Sequence, residues 1–561
     1  MKNELIHEKK EYSDIRDLIE KASEMYADRV AFSYRKSPYD EKNVEKTFAE
    51  LRDDVRALTT KFIDMGFKDK HVVIVGKLSY SWVLIYYSVL ASGGVLVPLD
   101  REWNASDLAV TAISADADYA FFDEDVASKG ESIKNEERLL GFFTTNLEGD
   151  LGKLKDEGAE LFNTDSGLYF NNEIDNQKLS LLVFTSGTTG KGKGVMLSQR
   201  AILSDMSSAY PYIDFGNKTV AVLPPHHTYG STIMLIGHLM IGCEVYISAG
   251  LKYVTLEFKQ QQPEHMILVP LYLETVYRKI RSTLNDKGIY KKVKRIIKLS
   301  NLLRKVGIDI RKRAFGQIRE VFGGRCKMII SGGAALSNDI YDFYEGIGIQ
   351  VLNGYGITEC APIISVNRSV KNVRGSVGPA LDVNEVKILD PNENGEGEIC
   401  ARGVNVMLGY YKNEAATKDA IMDDGFFRTG DYGKISNDGR IYITGRSKNL
   451  IVLSNGKNVY PEEIESALAS AQGLLDVIVY EGQSKRGVSE NKIVAEIYPD
   501  FDLLKKRGIE DAYKHFKGFV DEYNRNAVSY KKIGVIKIRE TEFPKNTLKK
   551  IKRFELDMSI D

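Results

Sequence analysis

The chain has 561 residues, of which 43% are hydrophobic and 28% are charged. This composition is typical of globular protein and excludes a disordered or fibrous chain. At about 150 residues per domain, the length predicts two to four domains. The 77 lysines and arginines balance 78 aspartates and glutamates, giving a formal net charge of −1. No overall positive field therefore indicates a nucleic-acid-binding protein.

The cysteines argue against a disulfide scaffold and against a zinc ribbon. Cys243, Cys326, Cys360 and Cys400 lie far apart, and no two have the spacing of a metal-ligand or redox motif. This usage favours a reducing compartment, so we expect a cytoplasmic location. The charged first residues lack the apolar segment of a signal peptide, and the last residues carry no lipidation motif.

The longest uncharged stretch, 22 residues from Leu78 to Leu99, is long enough to cross a bilayer. Its interior favours another structure. Trp82–Ala91 has the pattern of an apolar helix, Ser92–Gly94 breaks it, and Val95–Leu99 has the pattern of a short strand. A helix, a glycine turn and a strand make half of a buried βαβ unit, which is the structure we predict.

The same alternation of strands and helices recurs along the chain. An apolar helix pattern at Ser231–Met240 ends before Gly242, and the strand-like Glu244–Ser248 follows it. Such alternation predicts a mostly parallel α/β sheet with chemistry in the loops at the strand ends. Further strand candidates are Val72–Val75, Tyr119–Phe122, Leu181–Phe184, Val220–Leu223, Met266–Val269, Met328–Ile330 and Gln350–Leu352.

The pattern changes after about Val383. Short alternating segments separated by Gly and Asp predict a small antiparallel lobe over 383–445. From Lys448 a compact α+β pattern follows, with a helix that begins at Pro461. We therefore predict an α/β fold with a large N-terminal body, 1–445, and a smaller α+β C-terminal lid, 446–561.

One local excess of charge lies between Arg278 and Arg313, with 14 lysines and arginines against two acids. The segment Lys291–Val306 mixes these cations with Val, Ile and Leu. One interpretation is a solvated helix that packs one side on the domain. The other is a basic amphipathic surface that faces anionic lipid or the phosphates of a ligand. The apolar residues are compatible with both.

The strongest chemical signal is Phe184–Gly194, FTSGTTGKGKG, which follows an apolar strand. Its four glycines let backbone N–H groups approach an anion, and its four hydroxyls and two lysines add donors and positive charge. The loop nearly fits the Walker A spacing, but Gly194 stands where Ser or Thr must hold magnesium. We therefore expect a polyphosphate site whose magnesium is held elsewhere.

Three further loops could complete a nucleotide site. Asn353–Glu359 follows a strand and offers the ring of Tyr355, the hydroxyl of Thr358 and, in Glu359, an oxygen ligand that suits magnesium. Ser331–Ala335 offers bare backbone to a ligand edge, and Phe427–Asp431 offers a lone carboxylate for ribose hydroxyls. Together on one α/β chain, these segments predict a nucleotide site.

The residues resemble the adenylate-forming superfamily, which includes acyl-CoA synthetases, adenylation domains of peptide synthetases and luciferases. The resemblance covers nearly the whole chain and rests on five motifs in order: FTSGTTGKGKG (184–194), YGITE (355–359), RTGD (428–431), GRSK (445–448) and PKNTLKKIKR (544–553). Two positions depart from the usual pattern. Gly192 stands where proline is usual, and Lys549 stands where glycine is usual.

The resemblance implies roles for individual residues. It makes Lys550, Lys193, Thr358, Glu359 and His227 catalytic, with Glu359 also the magnesium ligand. It makes Lys448 the hinge between body and lid, and Gly456 part of a thiol tunnel. The implied nucleotide contacts are Thr185, Ser186, Gly187, Thr188, Thr189, Gly190, Gly332, Gly333, Ala334, Tyr355, Gly356, Asp431 and Arg446.

Among the subfamilies, LPPHHTYG (223–230), SGGAAL (331–336) and NGKNVYPEE (455–463) look like those of long-chain fatty-acyl-CoA synthetases. The implied reaction activates a medium- or long-chain fatty acid to acyl-AMP and transfers it to CoA, with ATP, Mg2+ and CoA as cofactors. One alternative is a ligase that loads an acyl-carrier-protein thiol. Another is a non-catalytic, nucleotide-dependent membrane-binding protein in which 278–313 carries the function. In the ligase too, a membrane-facing 278–313 would suit a lipid substrate and would place the cytoplasmic enzyme at the periphery of the membrane.

Overall fold

The computed structural model describes residues 5–185, 192–453, 457–483, 489–545 and 551–560. The strands, numbered in chain order, are β1 (Val30–Tyr34), β2 (Val44–Thr47), β3 (His71–Val75), β4 (Val95–Leu99), β5 (Tyr119–Phe122), β6 (Gly141–Thr144), β7 (Leu179–Thr185), β8 (Lys193–Ser198), β9 (Lys218–Ala221), β10 (Glu244–Ile247), β11 (His265–Leu268), β12 (Met328–Ser331), β13 (Gln350–Gly356), β14 (Ile363–Val366), β15 (Asn384–Leu389), β16 (Gly397–Gly403), β17 (Gly409–Tyr410), β18 (Phe427–Ile435), β19 (Ile441–Arg446), β20 (Ile451–Val452), β21 (Asn458–Val459), β22 (Leu474–Gln483), β23 (Ser489–Pro499) and β24 (Ile533–Ile538).

The α-helices are α1 (Ile15–Tyr26), α2 (Phe48–Asp64), α3 (Tyr80–Ala91), α4 (Ala105–Ser114), α5 (Glu131–Lys134), α6 (Asp150–Thr164), α7 (Gly167–Phe170), α8 (Gln199–Ala209), α9 (Thr228–Ser231), α10 (His238–Met240), α11 (Val254–Gln261), α12 (Pro270–Asp286), α13 (Tyr290–Arg304), α14 (Arg311–Ala314), α15 (Gly316–Arg319), α16 (Asn338–Gly346), α17 (Glu414–Ala420), α18 (Pro461–Leu468), α19 (Phe501–Lys506) and α20 (Ala512–Asn526). Thr232–Gly237, between α9 and α10, is a π-helical turn. The predicted helix at Ser231–Met240 is therefore helical but not uniformly α.

Three sheets carry the parallel strands of the body. The largest has the order β17-β8-β7-β4-β3-β5-β6, and its strands from β7 to β6 run parallel. The others have the orders β2-β1-β10-β9 and β11-β12-β13-β14 and mix parallel with antiparallel pairs. The predicted α/β class, with parallel and mixed sheets in the body, is confirmed.

The C-terminal part of the chain pairs differently. β15-β16-β18-β19 is a fully antiparallel sheet, and the sheet β22-β23-β24 packs with α18 and α20 in a separate α+β unit. In the described residues, no buried cluster joins 15–443 to 451–560. The division at 445/446 remains a prediction, and these separate cores support it.

The stretch from Leu78 to Leu99 forms the predicted helix, turn and strand. Ser79 caps α3 by accepting from the Trp82 N–H, and every residue of α3 but one is buried. The turn at Ser92–Gly94 then leads into β4, which is buried along its whole length. α3 is apolar on all sides because it lies inside the body, as a core helix does. Within the described ranges, no helix combines the length and apolarity that crossing a membrane requires.

Three buried residues meet in the core, namely His238, the nearby Cys243 and, from the start of β11, His265. The Gly216 N–H donates to His265 Nδ1 (3.2 Å), so the proton of His265 sits on Nε2 and donates to His238 Nε2 (2.8 Å). His238 Nδ1 in turn donates to the Ile233 carbonyl (2.9 Å). Every ring nitrogen is satisfied with both rings neutral, so the pair ties β11 to the π-helical turn.

These two histidines predict a loss of stability in acid. Burial lowers the pKa of His238 to about 4 and holds the pKa of His265 well below its usual range. The unfolded chain therefore binds more protons below about pH 6.5, and the free energy of unfolding falls as pH falls toward 4. We expect a loss of about 1 kcal/mol per histidine between pH 6.5 and 5.5.

Urea unfolding followed by the tryptophan fluorescence of buried Trp82 and half-buried Trp103 measures this loss. His265→Gln should reduce the pH slope, whereas His7→Gln, at an exposed position, should leave it unchanged. Equal slopes in both variants would contradict the assignment.

Candidate active site

Most of the described motif residues lie at or near the ends of strands. Thr185 ends β7 and pairs with Lys193, the first residue of β8. Gly332–Ala334 follow β12, and Thr358–Cys360 form a 3-10 turn after β13. Two expectations were wrong in detail. Asn353–Gly356 and Phe427–Asp431, predicted as loops, belong to β13 and β18, because β14, β16 and β19 supply them with backbone partners.

Asp431 is a nearly fully buried carboxylate held by two donors. The Tyr355 hydroxyl donates to Oδ2 (3.0 Å), and the Arg446 guanidinium lies 3.0 Å from Oδ1. Asp431 and Arg446 face each other across the β18–β19 pair. Burial, and then the charge of Asp431, hold the pKa of Tyr355 well above its usual range, so the phenol remains a donor. The structure thus brings three predicted nucleotide contacts together.

The backbone around Asp431 is fixed by Glu398, a mostly buried residue of β16. Glu398 accepts from the Arg428 guanidinium (2.7 Å) and from the Gly430 N–H (3.1 Å). Thr429 Oγ1 donates to the Ile399 carbonyl (2.7 Å). Gly430 has a φ of +69°, a conformation that a side chain strains. These contacts set the direction of the Asp431 carboxylate before any ligand binds.

Glu359 is the second organised carboxylate, and its partner was missed by sequence reasoning. The Tyr410 hydroxyl donates to Glu359 Oε1 (2.9 Å), and Lys193 Nζ lies 4.6 Å from the centroid of the Tyr410 ring. Burial and the nearby Glu359 raise the pKa of Tyr410, which stays a neutral donor. The signal for Tyr410 in the sequence is weak, a tyrosine pair after Gly409, and only the β17–β8 pairing brings it to Lys193.

Behind Glu359 lies Asp205, a fully buried residue of α8. Its carboxylate accepts from Asn405 Nδ2 (2.9 Å) and from the Ile363 N–H (3.1 Å). The same amide of Asn405 also donates to the Cys360 carbonyl (3.0 Å). Burial holds the pKa of Asp205 well above its usual range. This network, also missed, anchors the chain directly after Glu359, at Cys360 and Ile363. The only signal of Asp205 in the sequence is that it is the single acid of α8.

The segment His226–Tyr229 lies against the turn after β12. The Tyr229 hydroxyl donates to the Leu268 carbonyl (3.1 Å), and a side chain at Gly332 would lie 2.9 Å from that hydroxyl. The rings of His226 and His227 contact each other in a tilted arrangement, with centroids 4.1 Å apart and an angle of 49° between the ring planes. Burial lowers the pKa of His226 to about 4, so this ring is neutral near pH 7.

Two of the predicted nucleotide-contact glycines, Gly356 and Gly333, lie in different surroundings. A Cβ at Gly356 would lie 1.8 Å from the Pro362 carbonyl oxygen, so strand packing excludes a side chain there. Gly333 has a φ of +83°, and a Cβ there would meet no atom closer than 4.0 Å. Ala334 is exposed beside it. The backbone of Gly333 and Ala334 is therefore accessible to a ligand, whereas the half-buried Gly356 packs closely against Pro362.

The remaining predicted residues are not joined to these clusters by any contact described above. His227 is half-buried beside His226, and Lys448 lies exposed in the 3-10 turn Ser447–Asn449 after β19. Thr358 is half-buried in its own turn. Outside the described residues lie Ser186, Gly187, Thr188, Thr189, Gly190, Gly456 and Lys550.

Comparison with known proteins defines the class. The model of the AMP-binding enzyme family matches residues 19–411, so the chain belongs to that family. The chain is 28% identical to a long-chain-fatty-acid–[acyl-carrier-protein] ligase of Arabidopsis thaliana, over 91% of this chain and 79% of that protein. It is 27% identical to a long-chain-fatty-acid–CoA ligase of Mycobacterium tuberculosis, over 78% of this chain and 75% of that protein.

Solved structures show the same fold. ATP-bound MatB from Rhodopseudomonas palustris superposes with a TM-score of 0.75 at 21% identity, covering 96% of this chain and 98% of that one. The anthranilate CoA ligase AuaEII in complex with anthranoyl-AMP gives a TM-score of 0.76 at 17% identity and covers 97% of both chains. The expectation of an enzyme of the adenylate-forming type is confirmed, and the non-catalytic alternative is not favoured.

The contrast between two glycines of β13 is testable. Gly356→Ala should lower the free energy of unfolding by about 1–3 kcal/mol, because the added methyl group overlaps the Pro362 carbonyl. Gly354→Ala on the same strand is the matched control. Its methyl group would meet nothing closer than 3.6 Å, so a change within about 0.5 kcal/mol is expected in urea denaturation. Equal losses would show that the Pro362 contact does not explain Gly356.

Proposed function

We propose that this enzyme activates a long-chain fatty acid with ATP and transfers the acyl group to a thiol. The observation that carries the proposal is the convergence of Lys193, Glu359 and Tyr410 from distant parts of the chain. It puts a cation next to a fixed carboxylate, as polyphosphate chemistry requires. The two relatives named as long-chain-fatty-acid ligases support the substrate class.

The chemistry needs activation because a carboxylate is a poor acyl donor, since its leaving group would be oxide. Attack of the carboxylate on the α-phosphate of ATP gives an acyl-adenylate and releases pyrophosphate. The adenylate then loses AMP when a thiol attacks the acyl carbon. Two anions must meet in the first step, so positive charge has to neutralise both of them in the transition state.

Asp431 is proposed to accept the ribose hydroxyls of ATP. Tyr355 and Arg446 hold its carboxylate in place, so little reorganisation is needed when the nucleotide binds. Arg446 is more than half exposed and is proposed as a second ribose contact. The accessible backbone of Gly333 and Ala334 is proposed to border the base.

The residues at Glu359 fit a magnesium ion. Glu359 is half-buried, and its Oε1 accepts from Tyr410. In the described part of the chain Oε2 accepts no hydrogen bond, so this oxygen is available as a ligand. A hard divalent cation prefers such a carboxylate oxygen. When bound, the ion would neutralise phosphate charge. Tyr410 is proposed to orient Glu359, and Thr358 to donate to a phosphate oxygen.

Lysines supply the remaining positive charge. Lys193 is exposed at the start of β8 above the Tyr410 ring, where its ammonium could reach the phosphates. Thr185 pairs with it and begins the proposed phosphate loop, which continues through Ser186–Gly190. Lys550 is proposed to bridge the fatty-acid carboxylate and ATP. His227, beside the half-buried Tyr229, is proposed to border the carboxylate.

The second step requires the thiol to reach the place that Lys550 occupied in the first. We propose that the lid rotates about Lys448, which follows β19 directly, and that Gly456 lines the thiol tunnel. CoA is the proposed acceptor. The proposed cytoplasmic location rests on the four widely separated, buried cysteine thiols.

The two half-reactions should separate by mutation. Lys550→Ala should reduce ATP–pyrophosphate exchange driven by a C16 fatty acid by about 100-fold or more, because a charge that acts only in the transition state is lost. Lys448→Ala should keep the exchange rate and slow thioester formation. Lys552→Ala is the matched control, because this neighbouring lysine pairs with Glu555 (3.0 Å). Full exchange by Lys550→Ala would overturn the assignment.

A carrier-protein acceptor is the second candidate, favoured by the Arabidopsis relative named as an acyl-carrier-protein ligase. Both acceptors present the same pantetheine arm, so they differ only in what surrounds it. With acyl-AMP formed in place, thioester should appear with free CoA at least about tenfold faster than with a phosphopantetheinylated carrier protein at equal concentration. The reverse order, measured by mass spectrometry, would make the carrier protein the acceptor.

A further inference from the structure

The outer side of α13 and the residues just after it form a solvent-exposed surface that combines cations with large apolar side chains. We call it the α13 outer face. Its members are all exposed to solvent, and four are cations while four are apolar. They are Lys291, Arg295, Lys298, Leu299, Leu302, Lys305, Val306 and Ile308.

The inner side of α13 accounts for only part of its apolar residues. Val293 is buried, and Ile296 and Ile297 pack partly buried against the core that contains α12 and α16. A Cβ at Gly346 would lie 2.6 Å from Ile297, so the helix sits close against α16. The interpretation as a solvated helix that packs one side on the domain therefore explains the inner apolar residues of α13. It does not explain the apolar residues of the α13 outer face, which remain exposed to solvent.

The apolar members of the outer face are strongly exposed. Leu299 is 51% exposed, Leu302 62%, Val306 71% and Ile308 51%. Positions 299, 302 and 306 have the spacing of one helical stripe, opposite the buried Val293 and Ser300. Single exposed apolar residues are ordinary, but a contiguous group of this kind marks an interaction site.

The cations of the outer face are not balanced by neighbours. In the described part of the chain, no carboxylate lies within ion-pair distance of Lys291, Arg295, Lys298 or Lys305. The two acids of the segment are engaged elsewhere. Asp309 pairs with Arg311 (2.6 Å), and Asp286 faces Arg507 (3.5 Å) of the C-terminal part. The surface therefore has a net positive charge although the whole chain is close to neutral.

We propose that the α13 outer face docks on an anionic lipid surface. Leucine and valine side chains on a helix that lies flat can enter the boundary between headgroups and acyl chains. Lysine and arginine on either side can keep their charged ends at the level of the phosphates while their stems cover apolar surface. The charge of the face is complementary to an anionic leaflet, which attracts each such cation.

A lipid surface fits this face better than an acidic protein. The cations alternate with the apolar residues along the helix, so each leucine lies beside a long charged side chain. A fluid bilayer accommodates that arrangement without a matching surface, whereas a protein partner needs both shape complementarity and placed carboxylates. The proposal does not depend on the acyl substrate, so its failure would leave the proposed adenylation chemistry untouched.

Sedimentation with sucrose-loaded vesicles tests the proposal on the full chain. The protein should sediment with vesicles of 70% phosphatidylcholine and 30% phosphatidylserine, and not with phosphatidylcholine alone. Binding should fall steeply between 50 and 500 mM salt, since long-range attraction is screened. Failure of the wild-type chain to sediment with anionic vesicles at low salt would overturn the proposal, and an acidic protein would then be the partner to seek.

Two variants locate the contact. Lys291→Glu/Arg295→Glu/Lys298→Glu should weaken vesicle binding at least about tenfold. The control Lys36→Glu/Lys259→Glu/Lys514→Glu makes the same change in net charge at exposed lysines elsewhere and should bind like wild type. Leu302→Ser/Val306→Ser should also weaken binding while keeping the salt dependence. Equal losses in the first variant and the control would show a bulk charge effect and overturn the assignment.

An insertion probe keeps the test independent of folding losses. Leu302→Trp adds an exposed tryptophan to a chain whose own two are buried (Trp82) and half-buried (Trp103), so its spectrum is compared with that of wild type under the same conditions. Its fluorescence should shift to the blue on adding anionic vesicles if the side chain enters the bilayer boundary, and no shift would contradict the proposed orientation. Unchanged carboxylate-dependent exchange by all variants in the absence of lipid would confirm that they remain folded.

Discussion

The candidate site depends on one buried carboxylate that never meets a ligand. Asp205 lies inside the body on α8, where an unpaired carboxylate would be strongly unfavourable. Asn405 and the Ile363 N–H satisfy it, and the same Asn405 amide holds the Cys360 carbonyl. The cost of burying this group is offset only when all these elements are in place. The polar network thus specifies a single position for the turn that carries Glu359.

Around this anchor, the two carboxylates proposed to bind nucleotide and metal are organised in the same way. Glu359 and Asp431 each accept from a buried tyrosine, Tyr410 and Tyr355 respectively. Burial keeps both phenols protonated, so each tyrosine acts as a fixed donor. Dipoles fixed in this way need no rearrangement during reaction, which is how a protein stabilises developing charge most effectively. The proposed nucleotide and metal sites are therefore built as parts of the core.

The main positive surface of the chain and the carboxylates of the candidate site belong to different segments. The formal net charge of −1 conceals a positive surface on α13, well separated in sequence from the carboxylates of the site. If the enzyme acts on a long-chain fatty acid, substrate and protein would share a preference for the same lipid surface. Docking and chemistry would then be carried by different sets of residues of one chain.

Local patterns predicted the fold well where they were strong. Continuous apolar runs gave β3, β4, β5 and α3 nearly to the residue, and the glycine break at 92–94 correctly ruled out a single apolar helix. Weak local preference misled at Asn353–Gly356 and at Phe427–Asp431. Gly, Asn and Asp favour turns in isolation, but neighbouring strands supplied ladder partners that outweighed that preference.

The sequence by itself determined the class of chemistry, because glycines, hydroxyls, lysines and carboxylates at motif spacing are needed for polyphosphate binding whatever surrounds them. Only the tertiary structure decided how Glu359 and Asp431 are held. Tyr410, Asp205 and Asn405 are unremarkable in local sequence, and they act through contacts with residues tens to hundreds of positions away. Likewise the sequence contained the cations of α13, but only packing decided which of its apolar residues are buried and which face outward.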